Sequence, residues 1–572
     1  MVLSGNPVSQ GVAIGEVYLY KPFTASIKER LIPPDEVELA VAQYFDLREA
    51  AQAEILAIED SLRADSPDKA AIFAAHVEML RDEAMNSEIV ELIRDDHIAP
   101  ECAIEKVYDK FARLLAKAKD ELISERAADI KDLKSRLHRI WLGIPERSLA
   151  TLAKEVIIVA HDLFPSDTAT LDRSKVLGIV TEVGGSTSHT AIIARSYEIP
   201  ALLGVAGVMN TLLDGETVIV DAIDGALHTS PDAALQAAYA KKREDYLSNE
   251  RELRKYRGIE PVTKDGVRID VLLNIGSVSP DELAGSLYTD GVGLFRTEFM
   301  YMSGANLPTE EEQYREYRKA ALEFGERPVI MRTLDVGGDK QLECIKLPKE
   351  ENPFLGMRAL RLCFEYLPLF QTQIRAILRA AVYGNLWMML PMVGSLDDIR
   401  TAKEIVADVK SGLCREGVAY KDVPIGIMIE IPSIAVVADL AASEVDFASI
   451  GTNDLCQYLT AVDRMNPTVS QYYQCYHPAM FRTMAQAIGA FSEAGKPIGV
   501  CGEMGGDPRA AAALVGLGMR KLSMGLSAVP RIKKLLAGLT IPQAEALARQ
   551  VLVQPTADDV EHVLSEGLKG LI

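Results

Sequence analysis

Ile425-Gly-Ile-Met-Ile-Glu-Ile431 and Asp446-Phe-Ala-Ser-Ile450, the second running on into Gly451-Thr-Asn-Asp454, decide how the C-terminal half of the chain is read. Each is a short apolar run that meets polar residues at its end: Glu430 in the first, Asn453 and Asp454 after the second. Six more runs of this kind occupy 269–275, 291–295, 328–334, 386–392, 496–501 and 520–524. Eight short apolar runs separated by helical stretches predict a (β/α)8 barrel from residue 260 onward. Asn274, Arg296, Arg332, Asp335 and Cys501 also stand where runs end. Such barrels build their active sites at the C-terminal ends of the strands, so these polar ends are the first candidates for chemistry.

Upstream, the texture changes twice. Residues 1–24 read as strands and turns. From about 26 to 147 the pattern is helical, with Val37, Val41, Tyr44 and Phe45 on one stripe. That block holds about −9 of the chain's net charge of −21. It reads either as solvated helix faces or as an acidic platform for a basic protein. Strand-like runs return at Val156-Ile-Ile-Val159, Val176-Leu-Gly-Ile-Val180 and Thr217-Val-Ile-Val220, making a compact α/β unit that the N-terminal strands complete. Residues 232–257 are charged, Ala-rich and helical, and read as a linker.

The 572 residues suffice for two to four domains. An apolar content of 48% excludes global disorder. The acidic balance argues against nucleic acid as the main partner. The absence of any long apolar stretch argues against membrane insertion. No secretory signal is read in residues 1–20, and seven scattered cysteines read as reduced cytosolic thiols, so a cytoplasmic location is expected.

Gly184-Gly-Ser-Thr-Ser-His-Thr190 follows a strand-like run and opens a helical stretch. A Gly-Gly turn leading into a helix N-terminus gathers free amides and positive dipole, which suits an anion. His189 stands among these donors. It reads either as a nucleophile able to take a phosphoryl group or as an incidental histidine beside a Ser/Thr cap. In the barrel, Arg296, Arg332 and Arg464 offer bidentate grips on carboxylate and phosphate, with Lys340 and Arg358 nearby in sequence. Glu430 and Asp454 are the kind of hard carboxylate pair that Mg²⁺ takes together with substrate oxygens. Cys501 reads as a small buried apolar residue or, in such a barrel, as a general acid.

Gly184-Gly-x-Thr-Ser-His-Thr resembles the phosphohistidine signature of the phosphoenolpyruvate-utilising enzymes, and Ser449-Ile-Gly-Thr-Asn-Asp-Leu455 with Gln457 and Arg464 resembles their second signature. Gly291-Val-Gly-Leu-Phe-Arg-Thr-Glu298, Arg332-Thr-Leu-Asp-Val-Gly-Gly-Asp-Lys340 and Glu351-Asn-Pro-Phe-Leu-Gly-Met-Arg358 narrow the resemblance to enzyme I of the bacterial sugar phosphotransferase system. It extends over essentially the whole chain.

The resemblance implies an α/β multidomain protein. A phosphohistidine swivelling domain (1–24 and 146–230) would carry an inserted helical subdomain (25–145). A helical linker (231–259) would lead to a phosphoenolpyruvate-binding (β/α)8 TIM-type barrel (260–572) that also dimerises. His189 would take the phosphoryl group from phosphoenolpyruvate and pass it to a histidine of the phosphocarrier HPr, docked on the helical subdomain. Arg296, Arg332, Asn453 and Arg464, with Asp454, Lys340 and Arg358, would hold the substrate. Glu430 and Asp454 would bind Mg²⁺, Cys501 would protonate the enolate to give pyruvate, and Thr168 would position His189. A swivel about the linker would gate transfer. A pyruvate phosphate dikinase-like enzyme would need a nucleotide-binding domain that the acidic helical block does not suggest. A scaffold without turnover would be expected to have lost His189, Cys501 or the carboxylates. Ser186 stands where many relatives have Arg, and Cys456 and Cys475 where Thr and Pro are expected.

Overall fold

A computed structural model describes the chain except for residues 21–26, 28, 63–66, 117–120, 145–148, 150–151, 164–170, 185–188, 198, 303–306, 338–349 and 572. Two units emerge, Met1–Asn249 and Glu250–Ile572.

The β-branched runs of the first unit form one eight-stranded sheet. Its strands are β1 (Val2–Ser4), β2 (Asn6–Ser9), β3 (Val12–Tyr20), β4 (Val156–Ala160), β5 (Val176–Thr181), β6 (Ala201–Leu203), β7 (Thr217–Asp221) and β8 (Ala226–Thr229), in the spatial order β1-β8-β7-β3-β4-β5-β6-β2. From β3 to β6 neighbouring strands are parallel, and the flanking pairs are antiparallel. Every residue of β4 is buried, as expected of a strand covered on both faces. Its side chains alternate: Val156, Ile158 and Ala160 enter one apolar core, Ile157 and Val159 the other.

Five helices, Val37–Leu62, Pro67–Leu80, Glu83–Arg94, Pro100–Ala116 and Glu121–Trp141, lie in sequence between β3 and β4. They bury a core of their own, with Tyr44, Ile55, Ile89 and Ile104 at its centre. A helix then runs from Ala233 to Arg254. Among the described residues no helix is long and apolar enough to cross a membrane.

All eight apolar runs of the second half become strands of one closed parallel barrel. They are β9 (Asp270–Ile275), β10 (Val292–Arg296), β11 (Val329–Arg332), β12 (Leu386–Leu390), β13 (Ile425–Ile429), β14 (Phe447–Ile450), β15 (Ile498–Val500) and β16 (Lys521–Met524). The seam closes where β16 pairs with β9, and Lys521 Nζ meets Asp270 Oδ2 there at 2.8 Å. Strand residues alternate in the radial direction. Met389 and Met428 join Leu294, Ile330 and Phe447 in the cluster filling the barrel, while Met388, Leu390, Ile427 and Ile429 pack outward against the helices. The interior is full: a Cβ on Gly426 would stand 2.5 Å from the Phe447 ring.

Two strands, β11 and β15, fall furthest short of their apolar runs, by three residues each. β11 ends at Arg332 and β15 at Val500, because the chain there turns its polar groups toward the mouth of the barrel. The ladder still reaches past the turn, since Cys501 N–H donates to Ile450 O at 3.0 Å.

Candidate active site

The polar strand ends converge on a cavity of about 460 Å³. Of the residues singled out in the sequence, Arg296, Arg332, Glu430, Asn453, Asp454, Arg464 and Cys501 line it. Parallel register explains the first pair: Arg296 at the end of β10 is the direct neighbour of Arg332 at the end of β11. Asn453 and Asp454 open the helix Thr452–Thr460 that follows β14.

Arg332 is buried and fixed by carboxylates. It binds Glu298, and its Nη1 lies 2.9 Å from Asp335 Oδ2. Burial would discharge the guanidinium, but Glu298, Asp335 and Glu430 outweigh that and keep it charged. Asp335 reaches the other way to Arg358 Nη2 at 2.9 Å, and Arg358 Nη1 lies 3.5 Å from Asp454 Oδ1. Arg464 Nη1 stands 3.8 Å from the same oxygen. Arg358 also donates to Tyr458 Oη at 3.2 Å. The backbone allows this approach because residue 337 is glycine at φ +109°: a Cβ there would meet Met357 O at 2.7 Å.

Glu430 is wholly buried. Its Oε1 accepts from Met392 N–H at 2.6 Å, while Oε2 has no hydrogen-bond partner among the described residues. Burial pushes its carboxyl up to about 8, reinforced by Asp454 and Asp335 and opposed by Arg358 and Arg332. A Cβ on Gly451 would stand 2.9 Å from Oε2, so only glycine leaves room there. A second close approach occurs at Gly502, where a Cβ would fall 2.7 Å from Thr452 N.

Cys501 is buried, with Sγ donating to Ile450 O at 3.6 Å. Burial pushes the thiol up to about 11; Ser449 and the two arginines Arg332 and Arg296 pull down against it, and Glu430 pushes up. It is therefore a protonated thiol at neutral pH, a competent proton donor. Asn274 Nδ2 holds the Cys501 carbonyl at 3.0 Å, and Asn453 Oδ1 accepts from Glu503 N–H at 3.2 Å.

The arrangement can bind a small polyanion against arginines, shield carboxylates from water and deliver a proton from sulfur. It includes groups and contacts that the sequence pattern does not announce. Asp335 was visible as a polar strand end but not as the bridge between two arginines. Tyr458 sits one helical turn after Asp454, a spacing that could have pointed to it. Glu298 directly follows Thr297 in a quoted motif. The Met392 amide carries no sequence signal at all.

His189 begins the helix His189–Ser196 after β5. The loop 185–188 before it, with Ser186, lies outside the described residues, as do Thr168 and Lys340.

Three family descriptions match the chain: PEP-utilising enzyme, PEP-binding domain, over 250–541; PEP-utilising enzyme, mobile domain, over 152–225; and PEP-utilising enzyme, N-terminal, over 4–126. A phosphoenolpyruvate-protein phosphotransferase of Bacillus sp. (strain S) is 42% identical over 98% of this chain and 96% of its own. The chain belongs to the phosphoenolpyruvate-protein phosphotransferase family. A second relative of that name, from Haemophilus influenzae, is 39% identical over 99% of both chains. A solution structure of an Enzyme I protein is 36% identical, with a TM-score of 0.39, covering 43% of this chain and 99% of that one. In the family's terms, the PEP-binding domain begins at residue 250, where the second unit begins, and contains the whole cavity. The mobile domain contains His189.

Proposed function

We propose that this enzyme transfers the phosphoryl group of phosphoenolpyruvate to His189 and from there to a histidine of a phosphocarrier of the HPr kind, releasing pyruvate. The observation that carries the reading is the barrel cavity, where Arg296, Arg332 and Arg464 face Glu430, Asp454 and the protonated thiol of Cys501.

The arginines hold the carboxylate and phosphate of phosphoenolpyruvate, and Asn453 completes the grip. Asp335 keeps Arg332 and Arg358 in place as a positioning group. An imidazole nitrogen of His189 attacks phosphorus; the P–N bond forms as the bond to the enol oxygen breaks. Guanidinium charge stabilises the spreading negative charge, an effect worth about 10³–10⁵ in rate for one arginine in comparable reactions. The departing enolate takes the Cys501 proton at its terminal carbon and becomes pyruvate. Sulfur then regains a proton from solvent.

The cavity suits Mg²⁺. Glu430 offers a buried oxygen without a protein partner and Asp454 a second carboxylate. Among the described residues no three His, Cys, Asp or Glu side chains gather to cage a metal, which leaves the remaining positions to substrate oxygens and water. When bound, the ion would neutralise charge on the phosphate and carboxylate of the substrate.

His189 serves the donor in one half-reaction and the phosphocarrier in the next, so a swivel about residues 231–259 belongs to the proposal. So do docking of the phosphocarrier on the acidic helices of 25–145, Thr168 as the group that positions His189, Lys340 as a further phosphate contact, dimerisation through 260–572 and a cytoplasmic location. The test is incubation with ³²P-phosphoenolpyruvate and Mg²⁺, with and without HPr, and mapping of the label. Label on His189 that chases onto HPr supports both half-reactions. Label that stays on His189 removes HPr as the acceptor, and no label removes the donor chemistry.

A further inference from the structure

We propose that Ser523 and Asn274 form a positioning relay behind the barrel cavity, which aims the Cys501 thiol so that the enolate receives its proton on one face. The relay deepens the phosphotransfer reading and rests on it. Cys501 stands just past the end of β15, which is bridged to β16 at Val500 and Leu522. Its N–H still finds Ile450 O on β14, at 3.0 Å. Its carbonyl lies beyond the bridge to β16. Asn274 Nδ2 reaches that carbonyl at 3.0 Å from β9, on the far side of β16.

The hydrogen bonds allow one arrangement. A carbonyl oxygen only accepts, so the Asn274 amide turns its nitrogen to Cys501 and its oxygen the other way. That oxygen accepts from Ser523 Oγ on β16. Ser523 is buried, and its hydroxyl also lies 3.4 Å from Leu273 O. Packing locks the serine in place: a Cβ on Gly293 of β10 would stand 2.5 Å from Ser523 Cβ. Among the described residues that line the cavity, neither Asn274 nor Ser523 appears, so both act through Cys501 rather than on the substrate.

The two anchors fix the backbone on both sides of the Cys501 Cα, and with it the line along which Cβ and Sγ leave the strand end. The thiol then stands on one side of the enolate plane. The double-bond electrons of the enolate form the new C–H bond at the terminal carbon as the S–H bond breaks. The enolate oxygen closes to the ketone, and sulfur keeps the S–H pair as thiolate. A donor held in one place protonates one face. A donor free to turn, or water acting on released enol, protonates both.

The experiment mixes an excess of full-length protein with (Z)-3-tritiated phosphoenolpyruvate and Mg²⁺ in D₂O. The thiol then carries deuterium, and each tritiated pyruvate gains a CHDT methyl group of one hand or the other. Wild type should give one hand, and Cys501→Ala, with no fixed donor, should give both. Ser523→Ala removes the hydroxyl that turns the amide, and Asn274→Leu removes the donor to the Cys501 carbonyl. Each should slow single-turnover pyruvate formation by about tenfold, keep the wild-type affinity for phosphoenolpyruvate, and give a mixture of hands. Normal affinity also shows that the variant site is folded; should Asn274→Leu fail to fold, Ser523→Ala carries the test alone. One-handed pyruvate from Ser523→Ala would overturn the relay: at the wild-type rate it shows no role, and at a reduced rate a merely structural one. One-handed pyruvate from Cys501→Ala would overturn it by removing Cys501 as the donor. Wild type that forms no pyruvate removes the phosphotransfer reading and the relay with it, whereas the other failures leave phosphoryl transfer standing.

Discussion

Arg358 Nη1 and Asp454 Oδ1 lie 3.5 Å apart, both buried, although 96 residues of chain separate them. This contact pins the helix after β14 to the loop after β11, and Asp335 ties the same arginine to Arg332. Two arginines and two carboxylates thus face one another in a buried network. Removing Arg358 leaves two buried carboxylates short of a cation, at a cost of about 3–5 kcal/mol. Arg358→Met should therefore lower the urea midpoint of the barrel unit by that equivalent. Arg358→Lys should recover part of it, since an ammonium keeps the charge but not the fork. A variant with the wild-type midpoint would show that the network does not hold the mouth together.

Cys501 acts as an acid, so its protonated fraction sets its use. With the thiol raised to about 11, it stays protonated from neutral pH to well above 9. Its contribution is therefore flat over that range and is lost only as pH climbs through 11. Cys501→Ala should slow pyruvate formation by about 10²–10⁴ while leaving phosphoenolpyruvate binding nearly intact. Rapid-quench measurement of pyruvate beside equilibrium binding separates the two. A fall in binding with normal product formation would assign the thiol to substrate grip instead.

The barrel was legible because β-branched and apolar runs of fixed length recur, and the site because polar residues interrupt them at one end. Arg296, Arg332, Glu430, Asn453, Asp454 and Cys501 all follow from that one regularity. Asp335 shares it, yet its bridging of two arginines depends on the approach of residues 357–358, which strand periodicity does not encode. The Met392 amide that holds Glu430 is backbone, at φ +54°, and no residue type announces it. In the first unit, residues 1–24 read as strands, but the places of β1 and β2 at opposite edges of the sheet, each bonded to one neighbour, are not encoded in segments of three or four residues.

Gly502 separates Cys501 from Glu503 and touches the start of the helix Thr452–Thr460. A Cβ there would fall 1.9 Å from Thr452 Oγ1 and 2.7 Å from Thr452 N, and the backbone atom has nowhere to retreat. Gly502→Ala should push apart the two segments that present Cys501 and Asp454. A displacement near 1 Å is enough to cost about 10² in rate. Steady-state turnover should fall on that scale while thermal unfolding shifts only modestly. Near-normal turnover would mean the two segments adjust without moving their functional side chains.

His138 gives the helical block a pH dependence of known sign. It is buried on the helix Glu121–Trp141, with Nε2 donating to Glu101 O at 3.0 Å and Nδ1 lying 3.5 Å from Glu105 Oε2. Burial holds its pKa below the ordinary 6.5; the hydrogen bond to Glu101 and the Glu105 carboxylate push the other way, and Lys134 adds to the lowering. The folded block thus keeps the ring neutral, and the unfolded chain takes the proton first. Stability from this group is complete above pH 6.5 and declines as pH falls toward the folded value, by at most about 1.4 kcal/mol per pH unit. Native-state hydrogen exchange in the helix Pro100–Ala116, compared between pH 7.5 and 5.5, should show that loss in wild type and a smaller one in His138→Gln. Gln keeps a neutral donor for Glu101 O but cannot titrate. Equal losses in both proteins would place the acid sensitivity on the surrounding carboxylates.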